Sequence, residues 1–219
     1  NLKLRHLGMK YIFVLVAIVL STFDAAAQRQ DMRDVFKNMP DSVLGYLSEN
    51  NRLDMIDFID SKMQAKVENG LGGTSRLDTI TTDYLRLTLT PASTVEMRLL
   101  PCASGNGGAD STLVCLVATY GDSIRESVVS YYTTRWKAVD GLPDPLQSDK
   151  VNNCLSSDSL VSDGFPAVSA SVCKEAELSP SSNSMTIKMT IPVFLTDRKI
   201  EVKPLDKSIT LNWDGTSFK

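Results

Sequence analysis

The feature that most constrains the fold is a run of alternating apolar and polar residues between 84 and 136. Residues 84–90 and 94–99 alternate strictly, so each segment has one apolar face as a β-strand. Residues 113–118 are apolar on both faces, which is typical of a central strand covered from both sides, and 128–132 form a further candidate strand. The pattern predicts a meander of four antiparallel strands.

A second alternating stretch occupies the end of the chain. Residues 185–191 alternate without a break, further strand residues follow at 200–202 and 209–213, and Asp214-Gly215 predicts a hairpin turn. Each meander ends in a strand followed by tryptophan, Trp136 and Trp213. The two meanders could be distant copies or two β segments that resemble each other by chance. One domain is the default expectation.

The segment 31–67 is predicted to be helical. It contains a short helix at 34–39 that ends at Pro40, a turn or two from Asp41, and a longer helix over about 51–67. The longer helix has an apolar stripe of Leu53, Ile56, Ile59, Met63 and Val67. We expect this stripe to pack on the first meander.

These patterns predict an α+β fold with N-terminal helices packed on antiparallel β-meanders. Residues 28–219 are expected to form a single domain, in the order helices 31–67, first meander 76–139, loop-rich excursion 140–183 and second meander 184–219. The excursion is rich in Ser, Asp, Gly and Pro, with one strand expected at 168–172.

Residues 1–27 consist of a short upstream stretch followed by the pattern of an export signal. Met9-Lys10 precedes an apolar run at 11–20, and Ala25-Ala-Ala27 supplies the small residues of a cleavage site, so cleavage is expected after Ala27. Residues 1–8 lie upstream of this plausible start methionine. The apolar run is too short to span a bilayer, and no membrane span is expected. The predicted location is periplasmic or secreted.

Composition then excludes several functions. The only histidine is His6, so residues 28–219 contain none, which excludes catalysis with a histidine base and the commonest zinc ligand sets. The same residues carry 20 basic and 25 acidic side chains, a net charge of −5, which disfavours nucleic acid as a partner. No catalytic, cofactor-binding or metal-ligating residue is assigned, and no cofactor is expected.

Three local patterns suggest chemistry but also have simpler explanations. Gly121-Asp-Ser-Ile124 resembles the nucleophile block of Gly-Asp-Ser-Leu esterases, but without a histidine base it is interpreted as a turn. Ser171 and Lys174 match the Ser-x-x-Lys pattern of penicillin-recognising enzymes, a weak match in an extended stretch. Asp54, Asp57 and Asp60 could offer oxygens to Ca²⁺, but a straight helix cannot wrap that ion, so they indicate a solvated helix face.

The four cysteines all lie downstream of the signal. An even number in an exported protein favours disulfide pairing. The expected strand register places Leu99 opposite Cys115, which separates Cys102 from Cys115, whereas Cys154 and Cys173 bracket the loop-rich region. We therefore predict a Cys154–Cys173 bridge and a buried Cys115 thiol.

The chain also resembles a family of secreted or periplasmic proteins of unknown function from Bacteroidales. The resemblance rests on the Ala-Ala-Ala-Gln at the end of the signal, residues 36–44, residues 52–57, Arg98-Leu-Leu-Pro101 and Trp213-Asp-Gly. It implies a location in the envelope or outside the cell, and no activity or catalytic residue.

Two functional hypotheses follow. The first is a non-catalytic binding or interaction module of the cell envelope, whose partner is an unknown envelope protein or glycan. The alternative is a hydrolase that works through carboxylates alone, like a glycosidase acting on envelope or extracellular polysaccharide, which needs two facing carboxylates. Whether the protein is an enzyme is left open by the sequence.

Overall fold

The computed structural model describes residues 30–103, 111–155, 172–194 and 200–219, with side chains described outside 191–207. The helices are α1 (Met32–Lys37), α2 (Glu49–Asp60) and α3 (Asp149–Cys154), with one 3₁₀ turn at Pro145–Gln147. The strands are β1 (Lys66–Glu68), β2 (Thr74–Ile80), β3 (Tyr84–Thr90), β4 (Ser93–Pro101), β5 (Thr112–Tyr120), β6 (Glu126–Thr133), β7 (Cys173–Leu178), β8 (Ser184–Phe194) and β9 (Ile200–Asn212).

The strands form two antiparallel sheets in simple sequential order. The larger sheet runs β1-β2-β3-β4-β5-β6 and the smaller runs β7-β8-β9. Every described pairing is antiparallel between neighbours in sequence, as short turns between strands favour. The predicted α+β class and the four-stranded meander β3–β6 are confirmed.

One face of the larger sheet packs against the N-terminal helices. Its side chains come from alternate positions of β2 to β5 and meet apolar residues of 32–56. The helix side of this core consists of Met32, Val35, Phe36, Met39, Leu44, Leu47, Met55 and Ile56. The predicted packing of helices on the meander is therefore observed.

The opposite face of the larger sheet packs against the smaller sheet. Cys115 and Val117 from β5 share this second core with Ile187 of β8 and Leu211 of β9. Val151 of α3 closes the same core. Because β5 is buried from both faces, its uninterrupted apolar run is explained.

The two tryptophans join neighbouring layers. The indole N–H of Trp136 donates to the backbone carbonyl of Val35 in α1 at 2.8 Å, and the indole N–H of Trp213 donates to the carbonyl of Pro101 in β4 at 2.6 Å. Trp136 adopts a left-handed backbone with φ of 62° just after β6. Trp136 therefore links α1 to the end of β6, and Trp213 links the end of β9 to β4.

The predicted long helix is shorter than expected. It ends at Asp60, Lys62 adopts a left-handed backbone, and Val67 belongs to β1. Met63 and Leu53 are 54% and 37% exposed, so the predicted stripe is wrong at these positions. The buried side chains are instead Arg52, Met55 and Ile56.

Arg52 is buried because it satisfies backbone carbonyls of the preceding segment. Its guanidinium donates to the carbonyls of Leu47, at 2.7 Å, and Met39, and to the carboxylate of Asp41 at 2.8 Å. These bonds hold the turns at residues 39–47 against α2.

The predicted loop-rich excursion contains regular structure. The 3₁₀ turn, α3 and β7 all lie between 140 and 183. Residues 168–171 of the expected strand lie outside the described residues, and Val172 is irregular. The second sheet therefore begins at Cys173, before the predicted start at 184. The prediction missed β7 because its sequence, Cys-Lys-Glu-Ala-Glu-Leu, carries little apolar alternation.

The cysteines are all free in the structure, so the predicted Cys154–Cys173 bridge is not formed. Cys173 begins β7 and its thiol lies beside the carboxylate of Glu126, whereas Cys154 ends α3. Cys115 is fully buried, as predicted, and burial raises the pKa of its thiol. Its partner across the strands is Arg98 and not Leu99, a register shift of one residue that places Leu99 on the helix side.

Candidate functional site

The esterase-like pattern forms a turn between β5 and β6, as predicted. Gly121 has a φ of 113°, and a Cβ atom at this position would lie 1.9 Å from the carbonyl oxygen of Ile124. Ser123 is exposed and lies in a bend. Only glycine fits at position 121 of this turn, and this geometry explains the glycine of the pattern.

The two remaining sequence candidates differ in what can be described. Ser171 lies outside the described residues, and Lys174 lies in strand β7, where its ammonium donates to the carbonyl of Leu146 at 2.7 Å. Asp54 and Asp57 are exposed on α2, and Asp60 forms an ion pair with Arg33 at 2.7 Å. In the described part of the chain, no cluster of His, Cys, Asp and Glu is arranged to hold a metal ion.

The most distinctive polar group is the buried carboxylate of Glu96, between the two sheets. One oxygen accepts from the hydroxyl of Tyr84 at 3.0 Å and from Arg86 at 2.5 Å. The other oxygen accepts from the backbone N–H of Leu178 in β7 at 2.7 Å. Three donors from two sheets thus converge on one side chain that is 4% exposed.

The electrostatics of this cluster follow from its burial. Burial raises the pKa of Glu96, and the bonds from Leu178, Arg86 and Tyr84 only partly oppose that effect. Burial, together with the nearby carboxylate, also raises the pKa of the Tyr84 hydroxyl. Since both carboxylate oxygens already accept hydrogen bonds, Glu96 acts as a structural acceptor and is not poised as a free acid or base.

A second hydrogen bond from a backbone N–H of β7 to a side chain of the larger sheet lies two residues earlier. The backbone N–H of Ala176 donates to the hydroxyl oxygen of Ser127 at 2.8 Å, and that oxygen lies 2.7 Å from the hydroxyl of Thr119. These donors point away from β8, so they belong to the outer edge of the smaller sheet. Side chains of the larger sheet therefore cover the edge of β7.

Two arginines reinforce the junction at either end of β7. Arg125 pairs with Glu175 at 2.8 Å and donates to the hydroxyl of Thr94 at 3.0 Å. Arg98 donates to Asn183 at 3.0 Å, to the carbonyl of Ser179 at 2.8 Å and to Asp83 at 2.9 Å. No sequence pattern marks Glu96, Arg98 or Arg125 as part of a site. The only signal was that Glu96 and Arg98 are charged on the polar face of a predicted strand.

The two outer strands of the larger sheet, β1 and β6, differ in how their outer edges are covered. At β1, the carbonyl of Glu68 accepts from the side chain of Asn51 at 3.2 Å, so α2 covers that edge. At the end of β6, Val139 and Lys137 bond to Tyr131 and Thr133. Within the described residues, the outward backbone groups of Ser127 and Val129 have no hydrogen-bond partner, which leaves the start of β6 as an open edge.

Exposed apolar side chains lie beside this open edge. Val128 is 56% exposed and Tyr120 is 50% exposed. Val128 pairs with Ala118 and Tyr120 pairs with Glu126, so the two lie diagonally on the helix-facing side of the sheet. We call Glu126–Ser130, together with Tyr120, the β6 edge surface. It combines exposed apolar area with backbone groups that have no partner in the described part of the chain, the features of a strand that accepts another strand.

No described helix is long and apolar enough to cross a membrane.

The fold defines this protein as a layered α+β domain in which two antiparallel sheets are joined by buried polar bonds. Residues 25–218 match a family model described as "Protein of unknown function (DUF3256)", and the chain belongs to that family. It is also similar to a solved structure of a domain of an uncharacterized protein from Porphyromonas gingivalis W83. The two are 19% identical with a TM-score of 0.58, over 86% of this chain and 96% of the other. This likeness supports the fold alone. No curated protein matches the chain.

Proposed function

We propose that this protein is a non-catalytic interaction module of the bacterial cell envelope. The observation that carries the proposal is the β6 edge surface. Among the described residues, side chains cover the edges of β1 and β7, whereas Val128 is exposed beside backbone groups of Ser127 and Val129 that have no described partner. Exposed strand edges are normally blunted in proteins that act alone, so an open one favours a binding role.

The envelope location is part of the proposal and rests on the pattern of an export signal at residues 9–27. Fractionation of cells followed by N-terminal sequencing tests it. We expect a mature protein that begins at Gln28 in the periplasmic or extracellular fraction. A cytoplasmic protein that retains residues 9–27 would contradict the location.

The hydrolase alternative has less support. The buried carboxylate, Glu96, already accepts three hydrogen bonds, whereas a glycosidase needs a carboxylate pair that is free to meet a substrate. Glu177 lies near it but is paired with Lys188 at 2.8 Å.

Photo-crosslinking in the native host tests the interaction role. A photoreactive residue at position 128 is expected to crosslink the protein to another polypeptide of the envelope or to itself. The matched control is a photoreactive residue at Leu71, which is equally exposed, at 58%, but lies between β1 and β2. Equal crosslinking from both positions, or none from position 128, would overturn the assignment of the surface.

A further inference from the structure

We infer that the β6 edge surface pairs with the same surface of a second copy of this chain, so that two larger sheets join edge to edge through antiparallel β6 strands. This inference rests on the proposed interaction role and names its partner. It follows from three properties of the edge: which backbone groups point outward, where the open stretch ends, and which side chains would face each other.

The direction of the backbone groups fixes the register. The carbonyl of Tyr131 and the N–H of Thr133 bond to residues on the outer side. The backbone N–H and C=O groups of the odd-numbered residues of β6 therefore point away from β5. Ser127 and Val129 therefore supply the outward groups of the open stretch. A two-fold axis at Val128 places Ser127 of each copy opposite Val129 of the other. In each pair, the backbone groups of both residues point toward the other copy, as a hydrogen-bonded antiparallel pair requires.

The length of the open stretch also fits its own copy. Val139 bonds to Tyr131 and occupies the outer side from that residue onward. β6 begins at Glu126. With the axis at Val128, the Glu126 end of one strand lies opposite Ser130 of the other, just before the occupied part begins. A five-residue edge is thus paired over its full length.

Side-chain chemistry agrees with this register. Val128 faces Val128 of the second copy as a non-hydrogen-bonded pair, with Cα atoms about 4.5 Å apart, and both are largely exposed in the single chain. Glu126 faces Ser130, so no like charges lie opposite each other. The side chain of Ser127 stays beneath β7, bonded to Ala176, and only its backbone groups take part.

The outer strand of the smaller sheet suits this role less well. The outer strand β9 includes Pro204, which has no backbone N–H to offer a partner, whereas Glu126–Ser130 contains no proline. A five-residue pairing is small compared with standard interfaces of about 1,600 Å² in total. The dimer is therefore weak and forms at high concentration or at a crowded surface.

Disulfide trapping of the purified mature protein tests the register. Val128→Cys places the two introduced thiols opposite each other within disulfide reach, and mild oxidation is expected to give a covalent dimer whose digest contains the peptide of residue 128 linked to itself. Ser130→Cys is the matched control, because the same register separates its two copies by four residues along the strand, about 13 Å, and no dimer is expected.

Sedimentation velocity of proteins without an introduced cysteine gives the second measurement. Wild-type protein is expected to gain weight-average mass with concentration, Val128→Lys is expected to lose that dependence, and Leu71→Lys is expected to keep it. Equal disulfide formation by both cysteine variants, or a mass independent of concentration, would overturn the inference. If position 128 still crosslinks to a different envelope protein in cells, the interaction role stands and only the second copy is wrong.

Discussion

The carboxylate of Glu96 in β4 accepts a hydrogen bond of 2.7 Å from the backbone N–H of Leu178, at the outer edge of a different sheet. A strand edge usually finds its partner in another strand. Here a buried side chain from the layer beneath replaces that strand. The contact joins the two sheets by a directional bond as well as by apolar packing.

Glu96→Leu is expected to destabilise the protein. It leaves the N–H of Leu178 and the hydroxyl of Tyr84 without their acceptor, and each buried donor costs about 1 to 3 kcal/mol. Urea unfolding measures the loss. Glu177→Leu is the control, because the ion pair of Glu177 with Lys188 is solvent-accessible and contributes about 0 to 1 kcal/mol. Similar losses in both variants would contradict the structural role of Glu96.

Glu96 is also expected to give stability a distinctive pH dependence. Burial raises its pKa in the folded protein above the unfolded value of about 4.3. Its contribution is therefore fully present below the unfolded pKa and is lost as pH rises through the folded pKa. The difference in unfolding free energy between wild type and Glu96→Gln should shift in favour of Glu96→Gln as pH rises above about 4.3. A difference that is constant with pH, or of opposite slope, would show that the donors outweigh burial.

Truncation of two leucine-sized residues of α2 should cost different amounts of stability. Ile56 is 1% exposed in the core beneath the sheet, so Ile56→Ala is expected to cost about 2 to 5 kcal/mol. Leu53 is 37% exposed, so Leu53→Ala should cost much less. Thermal and urea unfolding of the pair measures both values. Equal costs would mean that the apolar stripe is buried as the sequence pattern predicts.

Gly121→Ala is expected to disrupt the turn between β5 and β6. The added methyl group would lie 1.9 Å from the carbonyl oxygen of Ile124, which is a backbone atom and cannot move away alone. Gly72→Ala is the control, since Gly72 also has a positive φ, of 76°, but its Cβ atom would meet nothing within 4 Å. A larger drop in melting temperature for Gly121→Ala than for Gly72→Ala is the expected result, and the reverse order would contradict it.

The sequence predicts the strands that carry their own signal. Strands β3 to β6 alternate or are uniformly apolar, and each is found at the expected place. The extent of α2 is mispredicted because Met63 and Val67 continue its 3–4 spacing by coincidence beyond the left-handed Lys62. β7 is missed because three of its six residues are charged, and because its outward N–H groups bond to side chains on distant strands.

The Glu96 cluster could not be predicted for a related reason. Alternation in β4 indicates that Glu96 and Arg98 share one face, and a polar face is normally solvent-exposed. Which face is covered depends on where β7 lies, and residue 178 is 82 positions away in the chain. The β6 edge surface is equally hidden, because strand order decides which strand is outermost.

The hydrogen bonds from β7 to side chains of the larger sheet should slow hydrogen exchange at this outer strand. Outer strands normally exchange their outward amides with solvent rapidly, because those amides open without the rest of the fold. The amides of Ala176 and Leu178 are bonded to Ser127 and Glu96, which lie in the larger sheet. They can be released only when the two sheets separate. These two amides should therefore report the global opening of the protein, although they lie on the rim of its smaller sheet.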